Sequence, residues 1–109
     1  MDGSSRTVDD RWTFELFVAG DSRRSRTARE RLEQICRRHL GGRYSVEVID
    51  VLANREAARR NQILAVPAVI RKYPLPEIKV IGDLSQVEKV VRGLELPAGS
   101  DEPEAAARG

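Results

Sequence analysis

With a single cysteine, Cys36, the chain has no partner for an internal disulfide and no Cys-x-x-Cys pair for dithiol chemistry. Histidine is as scarce. His39 stands alone, without thiol or carboxylate neighbours at ligand spacing, so the sequence contains neither a metal centre nor a serine-histidine-carboxylate arrangement. Aromatic residues make up 5% of the chain, too few for a row of platforms on which bases stack. No apolar run approaches the roughly 20 residues a membrane-spanning helix requires, and the opening MDGSSRTVDDR lacks the apolar stretch of a secretory signal. No phosphate loop is present, and at Gly82-Asp83-Leu84-Ser85 the carboxylate of Asp83 would repel an anion. These absences point to a protein of the reducing cytoplasm that carries no cofactor and is not an enzyme.

What is there fits one modest domain. In 109 residues, 40% hydrophobic content suffices for a single core, and 33% charged content gives it a heavily solvated surface. The net charge is only +2, but from Arg23 to Arg43 eight arginines face only Glu30 and Glu33. A solvated helix face is the simplest account of that cluster. The alternative is a basic module that uses the same helix to bind nucleic acid or an acidic partner.

Residues 1–10 are polar and aperiodic and read as a disordered leader; 98–109 read as a flexible tail, leaving 11–97 as the domain. Trp12, Phe14, Leu16 and Val18 alternate, and Phe17 and Ala19 make the second face apolar too, which predicts a central strand covered on both sides. A helix over 24–40 follows, with Ser22 or Ser25 as cap. Ala28, Leu32, Ile35, Cys36 and Leu40 lie on its core face, and Gly41-Gly42 stops it. Cys36 therefore reads as a small buried hydrophobe, and a redox-dead thioredoxin-like protein exposing that thiol is the lesser reading.

Tyr44 to Val51 predicts a buried parallel strand completing a βαβ unit. Asn54 caps a short helix over 55–62 whose apolar face is only Ala57, Ala58 and Leu64, so packing holds it weakly. Val66 to Arg71 is a third strand opened by Pro67, 72–77 a proline-rich turn, and Ile78 to Ile81 a fourth strand antiparallel to the third. Ser85 and Glu88 have capping-box spacing before a last helix with a stripe of Leu84, Val87, Val91 and Leu94, and Val90 beside them. The order βαβαββα with a mixed four-stranded sheet is an α/β, thioredoxin-like layout. The turn that carries the reactive cysteines in thioredoxins is here Gly20-Asp21-Ser22-Arg23-Arg24-Ser25.

Four segments, LFVAGDSRRS, VEVIDVLANREAA, QILAVPAVIRKYPLP and above all KVIGDLSQVEKVV, resemble the KaiB family in order and spacing over roughly Phe14 to Leu96. The resemblance implies a non-enzymatic regulator that binds the ATPase ring of the RecA-like hexamer KaiC. In cyanobacteria such a protein recruits KaiA and displaces the kinase SasA, whose N-terminal domain is itself KaiB-like. It also implies alternation between the thioredoxin-like order and a ground state of order βαββααβ that is often a homo-oligomer. By matching position, partner-binding residues are Asn54, Ile63, Leu64, Ala65 and Pro67, and the fold-switch region is Gly82 and Asp83.

The residues themselves supply physical grounds for such a switch. After Val51 come the weakly packed helix and X-Pro bonds at Pro67, Pro74 and Pro76, a bond type that isomerises over roughly tens to hundreds of seconds. Two departures stand out. Arg59-Arg60-Asn61 replaces a segment usually acidic in cyanobacterial relatives, and Arg23-Arg24 occupies the first turn, so this chain's partner is expected to differ in charge from theirs.

Overall fold

The computed structural model describes residues 11–98. The leader and tail expected at 1–10 and 98–109 lie outside these residues, apart from Ala98. The element order is βαβαββα: β1 Trp12–Val18, α1 Arg23–Leu40, β2 Tyr44–Asp50, α2 Arg55–Arg60, β3 Ala68–Tyr73, β4 Ile78–Ile81 and α3 Val87–Gly93. The sheet runs β2-β1-β3-β4. β1 pairs parallel with β2 through Leu16↔Val48 and antiparallel with β3 through Leu16↔Val69, and β4 lies antiparallel to β3. β1 is thus central, as its two apolar faces require: Phe14, Leu16 and Val18 are buried on one side and Phe17 on the other.

The two faces are covered unequally. Under α1 and α3, Phe14, Leu16, Val18, Leu32, Val69 and Leu94 belong to the main core, each buried large side chain contributing about 1.5–3 kcal/mol of transfer free energy. On the opposite face the short α2 covers only a small cluster of Phe17, Ala57 and Ile70, edged by Ile49, Val51, Ile63 and Val66.

α1 forms where its periodicity predicts. Ser22 is the cap, its hydroxyl accepting from the Ser25 amide at 3.1 Å, and Ala28, Leu32, Ile35, Cys36 and Leu40 are all buried. Gly41 ends the helix at φ +64°, a conformation that carries no Cβ penalty for glycine. His39, near that end, bonds through Nδ1 to the Pro97 carbonyl oxygen at 2.7 Å.

Several elements differ from expectation. β2 is half exposed, because it lies at the sheet edge and α1 screens it only partly; Val48 is 39% accessible. β3 starts after Pro67 and runs on to Tyr73, since the antiparallel ladder with β1 continues through Thr13↔Tyr73. α2 stops at Arg60, and Leu64 falls outside it, turned to solvent. The capping box of Ser85 and Glu88 does not form. The Asp83 carboxylate takes the Ser85 amide at 3.1 Å, and α3 begins later, behind Gln86, without a side-chain cap. Val90 and Leu94 are buried with Leu84, as is in part Val91, while Val87 is exposed.

Candidate partner-binding face

The turns after β1 and β2, the segment between α2 and β3 and the turn after β4 belong to one end of the sheet, because β1 and β2 are parallel and β3 and β4 pair Ala68 with Ile81. The first two turns are joined by Asp50, whose Oδ1 accepts from the Gly20 amide at 2.8 Å and the Leu52 amide at 3.0 Å. Beside Gly20 sits Leu52, 61% exposed, whose Cδ1 would lie 3.5 Å from any Cβ added at Gly20. An aspartate closing a strand before a tight turn is the signal that would have found Asp50; Leu52 carried none.

Asn54 caps α2, its Oδ1 accepting from the Ala57 amide at 3.3 Å. A helix of six residues advances about 9 Å, which sets Asn54 apart from the other site residues at its far end. There the Ile63 amide donates to the Ala58 carbonyl at 2.9 Å and its side chain packs at the edge of the Phe17 cluster. Leu64 and Ala65 then turn outward, Leu64 with 91% of its surface accessible. Pro67, buried and joined to Val66 by a cis peptide bond, brings the chain back into the sheet.

This loop is braced from β4. The Lys79 ammonium donates to the carbonyls of Asn61 at 3.0 Å and Gln62 at 2.8 Å, and Asn61 Nδ2 donates back to the Ala57 carbonyl at 2.8 Å. Lys79 looks in the sequence like any polar residue alternating along a strand, so nothing there marks its role.

Gly82 joins the same site, its amide donating to the Pro67 carbonyl at 2.9 Å. Asp83 faces another way. Its carbonyl accepts from Arg31 Nη1 of α1 at 3.0 Å, and its carboxylate lies 3.9 Å from the same guanidinium. Hydrogen bonds from Ser85 hold the Asp83 carboxyl below its ordinary value, with Arg31 and Arg24 lowering it further. The structure therefore brings Ile63, Leu64, Ala65, Pro67 and Gly82 together and leaves Asn54 and Asp83 on the flanks.

The electrostatics of α2 are positive. Arg55, Arg59 and Arg60 face the single acid Glu56, which lies 3.4 Å from Arg59. In the β1–α1 turn, Ser22 and Ser25 hydroxyls lie 3.0 Å apart and Ser25 Oγ donates to the Ala19 carbonyl, an arrangement that closes the helix start. Burial, aided by Glu33, pushes the Cys36 thiol up to about 12, so it is a protonated core side chain at neutral pH. Among the described residues, no group of three histidine, cysteine or acidic side chains converges as a metal site.

A KaiB domain model matches residues 15–96. The chain is 38% identical over 86 residues to the circadian clock protein KaiB3 of Synechocystis sp., covering 79% of this chain and 84% of that protein. It is 41% identical over 88 residues to the circadian clock oscillator protein KaiB of Synechococcus elongatus, covering 81% and 86%. Among solved structures, the N-terminal domain of Synechococcus elongatus SasA superposes with a TM-score of 0.64 at 16% identity, over 78% of this chain and 84% of that one. Mitochondrial thioredoxin 3 of Saccharomyces cerevisiae superposes at 0.59 and 16% identity, over 80% and 83%. The fold is thioredoxin-like, the turn that would hold redox cysteines has none, and the chain belongs to the KaiB family.

Proposed function

We propose that this chain is a non-enzymatic regulator that docks on a KaiC-type hexameric ATPase through the end of the sheet bearing Leu64, and thereby modulates the phosphorylation cycle of that ATPase in circadian timing or stress adaptation. The observation that carries the reading is Leu64 itself: a large apolar side chain, 91% exposed, on a loop braced by Lys79 and Ile63. An ordered leucine left in water lowers the free energy of a complex by about 1.5–3 kcal/mol when a partner covers it fully. Family membership and the clock roles named for the relatives support the same reading.

The arginines of α2 add the partner's chemistry. Arg55, Arg59 and Arg60 would be repelled by a basic surface, so the socket that receives Leu64 is rimmed by carboxylates. The likeness to the SasA domain supports a histidine kinase competing for the same socket. As in the family resemblance, the thioredoxin-like order is the binding state and exchanges with a βαββααβ ground state that assembles as a dimer or tetramer.

The nucleic-acid reading has less support. Arg26 and Arg31 of α1 are engaged by Asp21 and Asp83, and Trp12 is half buried and stacked with Phe14. Size-exclusion chromatography with light scattering, after hours of incubation with the KaiC-type ATPase of the same source and ATP, tests the proposal. A slow shift into the hexamer peak is the expected result. No shift at concentrations well above micromolar removes the ATPase as partner, and steep salt-dependent binding to oligonucleotides would then favour the arginines of α1.

A further inference from the structure

One buried cation belongs to none of this. Arg71 lies in β3 and is 3% exposed, on the face of the sheet that carries α3. Its Nη1 donates to the Leu94 carbonyl at 2.8 Å and its Nη2 to the Pro76 carbonyl at 2.9 Å. Its guanidinium carbon sits 5.5 Å from the centre of the Trp12 ring, and Glu95, largely exposed, lies 3.9 Å away. One side chain of β3 thus reaches the end of the last helix, the β3–β4 turn and the start of β1.

The helix it reaches is short. α3 has seven residues, too few to be stable without packing, and it has no side-chain N-cap. Its buried anchor is Val90, and Leu84, Leu94 and Leu96 are buried on either side of it. Both flanks adopt a left-handed backbone at non-glycine residues, Leu84 at φ +63° and Glu95 at φ +57°, so the segment is strained at each end. A carbonyl at the end of such a helix, bonded to a charged fork, is an efficient place to fix it.

We infer that Arg71 is the latch that closes residues 84–96 onto the sheet, and that its loss releases this segment while β1, α1 and β2 stay folded. The latch concerns how α3 is held and stands apart from the identity of any partner. The fork geometry matters, because two carbonyls from different elements accept from two nitrogens of one plane, which an ammonium does not reproduce.

Hydrogen exchange read by mass spectrometry on the full chain tests this in the wild type, Arg71→Lys, Arg71→Met and Glu95→Gln. In Arg71→Met, exchange over 84–96 should accelerate about tenfold or more while 12–50 change by less than about twofold. Arg71→Lys should give an intermediate acceleration in the same segment, and Glu95→Gln, which leaves both carbonyl bonds intact, almost none. In the wild type under rising denaturant, 84–96 should open before 12–50, a measurement that needs no variant to fold. Equal acceleration of both regions would make Arg71 an ordinary member of one cooperative core and overturn the latch. So would unchanged exchange in Arg71→Met, or simultaneous opening of both regions in the wild type.

Discussion

The Gly82 amide donates to the Pro67 carbonyl at 2.9 Å, so the residue that ends β4 is tied to the one that leads into β3. Gly82 makes this contact at φ +131°, and a Cβ placed there would meet no atom within 4 Å. Gly82→Ala is therefore expected to destabilise the thioredoxin-like fold by about 1–3 kcal/mol through backbone conformation alone. Urea denaturation measures this, and a loss below about 0.5 kcal/mol would mean that the turn relaxes around the new side chain.

Leu64→Ala should separate the proposed binding from folding. Because its side chain touches so little, Leu64→Ala should change stability by no more than about 0.5 kcal/mol. Affinity for the KaiC-type hexamer should fall about tenfold or more, as for a truncated interface anchor. Fluorescence anisotropy titration alongside a thermal melt reads both, and unchanged affinity would remove Leu64 from the interface.

At the other end of α2, Asn54→Ala deletes the bond to the Ala57 amide and should cost about 1 kcal/mol, whereas Asn54→Asp should keep most of the cap. With only Ala57 buried in the helix, the effect should appear as faster amide exchange over 55–63. Global melting alone would not localise it.

For Cys36, the folded thiol is raised from an ordinary 9.0 to about 12 by burial first and Glu33 second. Below pH 9 the thiol is protonated in both states, so its contribution is fully present; as pH rises from 9 towards 12 the unfolded thiol ionises first and stability is lost. The stability difference between wild type and Cys36→Ala should shrink over that window. Alkylation of the native protein at neutral pH should be slow and should accelerate on denaturation.

Asp83 titrates with the opposite sign. Its folded carboxyl is held below the ordinary 3.8, chiefly by hydrogen bonds from Ser85, so its contribution is present at neutral pH and is lost as acid protonates it. Following the Ser85 amide by NMR during acid titration should give a midpoint below that value. Asp83→Asn should abolish the transition.

How far the sequence speaks depends on what sets each element. The spacing of Ala28, Leu32, Ile35, Cys36 and Leu40 determines α1 because one broad apolar face packs on one sheet, and all five are buried as the periodicity requires. At α3 the same reasoning holds for Leu84 and Leu94, and for Val91 in part, but not for Val87. Asp83 takes the Ser85 amide that the capping box would have used, and the helix starts only at Val87, which is exposed. Leu64 fits the helical spacing of α2 but lies beyond a helix that ends at Arg60, and no pattern distinguishes an apolar residue left exposed from one meant for the core. Arg71 and Lys79 are more opaque still. Their acceptors are backbone carbonyls, Leu94 and Pro76 for one and Asn61 and Gln62 for the other, and carbonyls have no sequence signature. The partner-binding residues Asn54, Ile63, Leu64, Ala65 and Pro67 rest on the family resemblance by position and on no local pattern of their own.

The edge position of β2 carries a consequence for handling the protein in concentrated solution. Among the described residues its only strand partner is β1, so a row of backbone donors and acceptors along Tyr44–Asp50 faces outward. Such rows recruit further strands and seed fibres unless something spoils the match. Arg11 already occupies the Tyr44 carbonyl at 3.0 Å, and midway along the strand Glu47 sets a charge between Val46 and Val48. Stacking copies in register would bring those carboxylates about 4.8 Å apart, a repulsion that disappears on neutralisation. Glu47, which takes no part in the core, thus joins Arg11 in opposing in-register stacking along this edge.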